Sequence, residues 1–585
     1  MFLRCRERRK DGKLHCYWSI VENRRVRGGG VVQRQVLYLG EINEQQRAAW
    51  ARGIEAFAGD RTSPKQMAMF GETKAAPVGD DEVVEVRLED FDLRRPRQWG
   101  GCWLACVLWD QLDLDAFWKP RLAPSRKGTR WLNVFKTLVI YRLLDPGSEW
   151  RLHRHWFEHS AVGDLLGEDF GLVQADKLYR CLDKLLAHKR DFFSALTRRW
   201  QDLFGISFEV LLYDLTSTYF ESEPPNEGKR QFGHSRDKRP DCVQVMIALI
   251  VTPEGFPLAY EVMPGNTADN TTLAGFLDRI EAQYGKADRI WVMDRGIPTE
   301  QTLAAMRAGG VSYLVGTPKG RLSQLEQAFL GQAWEEVRPS LQVKLLAMHD
   351  ELYVLARSDS RIGKERGMRR RRLKKLWARL GELQGQNISR DQLLIKLGAA
   401  KKEAGRVWGL VDIQLPKAGQ KVSPESFRFR LRRDKLRQAR RREGRYLLRT
   451  NLCDREAAEL WRHYILLTEI EQAFKELKGD LAIRPIYHQL DHRIEAHIFV
   501  AFVAYCLMVT LKHRLRALAP GLTPRAVLEK LSAIQMIDVH LLTSDGRHLV
   551  LPRYTHPEPD HKLLLNRLKL KLPKQPEPRI ALDAQ

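Results

Sequence analysis

Two apolar runs in this 585-residue chain carry an aspartate where a buried strand would place its end. They are Val210-Leu211-Leu212-Tyr213-Asp214-Leu215-Thr216 and Ile290-Trp291-Val292-Met293-Asp294. Runs of this length read as strands buried on both faces, and a carboxylate in such a place is costly unless something pairs with it. Taken singly, each aspartate suits a cap for the turn that follows. Taken together, they predict two neighbouring strands that present their acids to a shared divalent metal site. A third carboxylate, Glu471, lies in a stretch of helical period that runs through Tyr464 to Lys478. Positions seven apart on a helix differ by only about 20°, so Tyr464, Glu471 and Lys478 share one stripe. Ile470, Ala473, Phe474, Leu477 and Leu481 form a second stripe, which packs. Glu471 also sits four residues before Lys475, the spacing of an ordinary helix salt bridge worth a few tenths of a kcal/mol.

Three carboxylates on rigid elements suit two hard cations, Mg²⁺ with Mn²⁺ as substitute, because such ions prefer oxygen ligands in octahedral geometry. A pair of them can activate an attacking oxygen and stabilise a departing one at a phosphodiester. In this reading Asp214 is shared by both ions, Asp294 binds one and Glu471 the other. Tyr464 and Lys478 hold a phosphate beside the cleaved bond.

The charge agrees with such a substrate. Lys and Arg number 97 against 73 Asp and Glu, a net +24, which implies a polyanionic partner without separating DNA from RNA or an anionic membrane surface. Membrane is disfavoured, since a spanning helix needs roughly 18 to 20 apolar residues and the best run, residues 498–510, suits a core helix. The opening Met1-Phe2-Leu3-Arg4-Cys5-Arg6 turns charged at once and points to the cytoplasm. Neither Cys5/Cys16 nor Cys102/Cys106 has a second pair at zinc-finger spacing, so the eight cysteines read as reduced, mostly buried thiols.

Setting two aspartates side by side requires a sheet, and the flanking residues have its pattern. After the Asp214 strand come strands over 242–251 and 256–263, joined by the turn Thr252-Pro253-Glu254-Gly255. A helix over 269–284 leads to the Asp294 strand, and a helix over 299–308, ended by Gly309-Gly310, leads to a strand over 311–316. This β-β-β-α-β-α-β series is the order of the ribonuclease H-like fold. The expected organisation is α/β, with a mixed-sheet core in two parts, 206–317 and 446–515, interrupted by a basic inserted domain over 318–445. Ahead of the core lie a basic β-rich unit (1–58), a linker (59–90) and a helical domain (91–205); behind it lies a C-terminal segment (516–585), a tail from 552. The basic stretches Arg369-Arg370-Arg371-Arg372 and 428–445 suit a DNA channel wall as well as a solvated face. The arginines of the first 34 residues suit phosphate contact along a duplex as well as a solvated face, and in the helical domain Trp131, Arg142, Arg151, Arg154 and Trp156 suit contact with nucleic acid, although the aromatics suit the core better.

The motifs over 208–507 resemble the DDE transposases of insertion sequences, specifically the "insertion sequence four" family. That family carries a Y-x2-R-x3-E-x6-K helix, which Tyr464, Glu471 and Lys478 match in spacing, with Leu467 where the family has arginine. Its D-x-G-(F/Y) element is similar to Asp294-Arg295-Gly296-Ile297, and Gly265-Asn266-Thr267-Ala268-Asp269 resembles a segment between its first two acids. The resemblance implies cut-and-paste movement of double-stranded DNA: cleavage at terminal inverted repeats, a hairpin with a flipped base, and joining to target DNA by a homodimer. Arg449 or Arg462 would replace the missing arginine if the fold brought one near, and Trp334 and Trp408 are candidates for the flipped-base pocket. Two rivals remain: a transposase-derived DNA-binding protein that no longer cuts, and an aspartyl-phosphate phosphotransferase with Asp214 as nucleophile.

Overall fold

The computed structural model describes the chain except residues 11–12, 26–30, 60–85, 87, 226, 286–287, 318, 326, 545–547 and 582–585. The expected linker over 59–90 falls mostly outside the described residues.

The centre is one mixed sheet of nine strands. Across the sheet they run Glu335–Arg338, Leu341–Met348, Glu351–Ser358, Arg445–Thr450, Ser312–Gly316, Ile290–Met293, Val210–Phe220, Val243–Val251 and Pro257–Pro264. The Ile290–Met293 strand is parallel to both of its neighbours, and every other pairing is antiparallel. All nine residues of Val243–Val251 are buried, as expected of a strand covered on both faces. Alternate residues divide between two layers. Leu212, Val292 and Leu314 join a core with Ile470, Phe474 and Phe499. Leu211, Tyr213, Trp291 and Met293 meet Phe276, Leu303 and Met306, from the helices Leu273–Tyr284 and Glu300–Ala308 on the opposite face.

The helix Asp491–Leu518 is long and apolar enough to cross a membrane by length and composition, yet 94% of its most apolar window is buried inside the protein. It packs on the sheet through Phe502, stacked 4.0 Å from Tyr260, and carries the helices of 100–204 on its other side. There Trp200 donates to Thr510 Oγ1 at 3.2 Å, and Trp118 meets Phe499 edge-on. Trp131 and Trp156 belong to this core. Arg142 is buried too, donating to the carbonyls of Ala482 and Gly147. The two tryptophans are thus core, as expected of the aromatics, and Arg142 is structural and not a nucleic-acid contact.

Two expectations are corrected. The inserted segment is not a module apart from the sheet: three of its strands extend the core sheet, and the innermost of them carries the continuous apolar run Leu352-Tyr353-Val354-Leu355-Ala356 of a strand covered on both faces. Only its helices Asp359–Gln384 and Arg390–Ala404, with the hairpin Val411–Gln414/Arg428–Leu431, form a separate core around Leu380, Leu393 and Phe427. Nor is the C-terminus a tail. His548–Tyr554 and Arg579–Ala581 join Gln535–Leu542 and Asp92–Gln98 in a four-stranded sheet, so residues 92–98, expected in the helical domain, pair with the C-terminal segment. The helix Pro559–Arg567 buries Leu563, Leu564 and Leu565. Its Arg567 donates to the Ala49 carbonyl at 2.8 Å, and Trp50 donates to that of Pro520 at 2.6 Å. These contacts seat the N-terminal three-stranded unit, Phe2–Lys10, Lys13–Arg25 and Val31–Gly40, with its helix Glu44–Gly59.

Candidate active site

Strand register does the first part of the work. In the parallel pair, Val210 stands opposite Ile290 and Tyr213 opposite Met293. One residue further, Asp214 and Asp294 come side by side on the face that carries Leu212 and Val292, with strands about 4.8 Å apart. Asp214 does not end its strand as expected, since the strand runs on to Phe220, and its Oδ1 accepts the Leu215 N–H at 2.7 Å; Asp294 stands just past the end of Ile290–Met293, and its Oδ1 accepts the Arg295 N–H at 2.7 Å. The helix Leu467–Lys478 covers this face, its apolar stripe of Ile470, Ala473, Phe474 and Leu477 buried. Its opposite stripe turns Glu471 into a cavity of about 370 Å³ shared with Asp214, Asp294 and Tyr464.

The electrostatics of this cavity call for a cation. Burial raises the Asp214 pKa to about 7, and the carboxylates of Asp294 and Glu471 add to it, against the Leu215 N–H and Arg236, which lower it. Oxygen-only donors held where they repel one another fit a hard divalent ion better than a soft one. The three acids share a cavity without forming a closed cage. Among the described residues, the group of three whose ligand atoms lie within 4.8 Å of one another is instead Glu149, His488 and His497. That group is buried beside Arg142, whose Nη2 is 3.4 Å from His497 Nδ1.

The helix expected to run unbroken through Tyr464 to Lys478 is two helices, Ala457–Ile465 and Leu467–Lys478, with a turn at Leu466. Tyr464, the last residue but one of the first, still reaches the cavity of the acids. A Cβ on Gly316 would stand 2.8 Å from its hydroxyl and 3.3 Å from Asp294 Oδ1, so glycine is what lets that strand end lie beneath both. Lys478 does not reach the cavity. Two turns beyond Glu471, or about 10 Å along the axis, it is ion-paired with Asp237 at 2.7 Å, a carboxylate that also holds Arg484.

Neither candidate for the missing arginine is in place. Arg449 is tied to Glu300 at 2.7 Å and Glu351 at 2.6 Å, and Arg462 donates to its own helix at Ala458. The cavity takes its cations from Arg295, Arg361, Arg406 and Arg445, with Leu467 in its wall. Beside it, Arg236 bridges to Asp269 at 2.6 Å and donates its N–H to Ser217 Oγ at 3.3 Å. The Gly265–Asp269 segment thus positions a cation near Asp214. Gly265 is dictated there, since a Cβ would fall 2.1 Å from the Gln244 carbonyl and 2.4 Å from that of Gln231. Reading the sequence singled out Arg445, within the basic stretch 428–445, and missed the other arginines, although Arg295 stands inside a motif it had singled out. Trp334 and Trp408 each pack against an apolar cluster of the inserted segment.

Two family models match the chain. Residues 207–507 match the one described as the transposase DDE domain, and residues 3–63 match the IS1634 family transposase, N-terminal domain. No curated protein matches. A cryo-EM structure of a piggyBac transposase synaptic complex with hairpin DNA aligns over 75% of this chain and 82% of that chain, at 8% identity and a TM-score of 0.34.

Proposed function

Because the chain belongs to the transposase DDE domain family and is a DNA transposase, we propose that Asp214, Asp294 and Glu471 are the three acids that give this family its name. Its N-terminal match carries the IS1634 label, where the sequence resemblance uses the "insertion sequence four" name; both fall under the same DDE grouping. The reading rests above all on the register that pairs Tyr213 with Met293 and so sets two acids together beneath a third. The core's strand order, with two parallel pairs and an antiparallel hairpin, supports a ribonuclease H-like assignment.

The three carboxylates would hold Mg²⁺, or Mn²⁺ in its place, which when bound neutralises charge on the reacting phosphate and acidifies the attacking hydroxyl. Asp214, which feels the charge of both other carboxylates, would be the central residue in holding the ion. Tyr464 donates its hydroxyl to a phosphate oxygen beside Asp294. Lys478 holds the strand outside the cavity, once a phosphate replaces Asp237. Cleavage at terminal inverted repeats followed by joining to target DNA, with a homodimer bringing two ends together in the cytoplasm, follows from this reading.

Alanine at Asp214, Asp294 or Glu471 should slow cleavage of inverted-repeat DNA by roughly 10³-fold or more while leaving repeat binding nearly unchanged. A gel-based cleavage assay beside a binding titration measures both. Retained cleavage in one variant removes that residue from the site. Wild-type protein that binds the repeat and never cuts it, with Mg²⁺ or Mn²⁺ present, would identify a DNA-binding derivative instead.

A further inference from the structure

We infer that Arg361, from the inserted segment, supplies the phosphate-binding cation that Leu467 does not. The inference rests on the active-site reading above. Leu467 lies between Tyr464 and Glu471 on the side that faces the cavity, and its 9% exposure leaves an apolar wall where those neighbours would meet a phosphate. Arg361 lines the same cavity from the first turn of the helix Asp359–Gln384, with its side chain 43% exposed.

Its mounting is built from two contacts of its own, with Glu365 and Tyr446, each of which is held in turn by a further contact. Arg361 Nε donates to Glu365 Oε1 at 3.1 Å, one turn on. Glu365 is in turn anchored to the core sheet, accepting the Gly444 N–H at 3.0 Å. The guanidinium lies 5.5 Å from the centre of the Tyr446 ring, and Tyr446 is in edge contact with Tyr464 at 6.3 Å. A cation stacked on an aromatic face keeps its outer N–H groups pointing away from the ring. Gly444 fixes the helix start against the sheet: a Cβ there would stand 2.2 Å from Ile362 Cγ1 and 2.7 Å from the Ser358 carbonyl, and its φ of +71° suits glycine. The inserted segment thereby brings a fork-shaped donor to the edge of the three acids, and planar bidentate recognition of a phosphate is what such a donor does.

The test uses the full chain and a duplex carrying the inverted repeat that flanks its coding region. Arg361→Ala should cut about 10²-fold more slowly, with an unchanged unfolding midpoint and a salt slope of binding lower by about 1. Arg361→Gln replaces it where the alanine variant unfolds. A methylphosphonate at the phosphate flanking the scissile bond should slow the wild type about as much as Arg361→Ala does, and slow that variant little further. Leu467→Arg added to Arg361→Ala should recover at least about tenfold of the rate. Arg361→Ala cutting as fast as wild type, equal slowing of both proteins by the methylphosphonate, or no recovery with Leu467→Arg would each overturn the inference alone. Wild-type protein that cuts no repeat DNA overturns the active-site reading with it.

Discussion

Asp214 is the residue on which the site's proton balance turns. Burial first, then Asp294 and Glu471, hold its pKa near 7 despite the Leu215 N–H and Arg236, whereas an unfolded aspartate titrates near 3.9. The folded state therefore keeps a proton that the unfolded state gives up. The stability this group contributes is full below about pH 4 and is lost as pH rises towards 7. In chelator, Asp214→Asn should match the wild type's unfolding midpoint near pH 4 and exceed it above pH 7, and added Mg²⁺ should raise the wild-type midpoint more at pH 8 than at pH 6. Thermal scans at the two pH values decide it; an Mg²⁺ effect independent of pH would remove Asp214 from the metal's ligands. The two aspartates stood out in sequence because an acid in an apolar run is conspicuous, and Glu471 because it shares a helical stripe with Tyr464 and Lys478. Arg361 did not, since its place depends on a strand pairing between residues 351–358 and 445–450 that no local pattern announces.

Among the elements, the strand ends and the turn at Leu466 set the geometry. The Ser312–Gly316 strand stops where Tyr464 and Asp294 converge, so Gly316→Ala should push the hydroxyl aside and slow cleavage by up to roughly 10²-fold, the scale of an ångström's misplacement. Against a Tyr464→Phe background the same change should cost much less, because the crowded oxygen is gone. Single-turnover rates of the four proteins close the cycle, and additive losses would mean that Gly316 acts elsewhere. Periodicity alone found the five core strands from residue 210 to 316 and both flanking helices, and it left the four strands beyond them out of the sheet. It missed the interruption at Leu466 because Ile465, Leu466 and Leu467 continue an apolar, helix-favouring run. It missed the C-terminal strands because the prolines and lysines of the segments around them mask a sheet completed by residues 92–98, more than 400 positions away.

At the scale of the whole molecule, a net charge of +24 should make DNA binding steeply dependent on salt. Contact with six or more phosphates would cost about 10³-fold in affinity between 50 and 200 mM salt, read by titration at several ionic strengths. A flat profile would assign the charge to some other purpose. Which basic residues face DNA was only partly readable: composition marked the inserted segment, while burial withdrew Arg142 and ion pairing withdrew Arg449.

The Arg445–Thr450 strand lies in the sheet's interior, between Ser312–Gly316 and Glu351–Ser358. On the ribosome, the edge beside Gly316 thus waits for residues made much later: 450 − 316 = 134 positions, or roughly 7 to 27 s at the usual ~5–20 residues per second. Throughout that interval the nascent chain exposes open backbone donors and acceptors to any other strand. Translation that stops before residue 445 leaves a product able to stick to its neighbours but unable to complete its own centre.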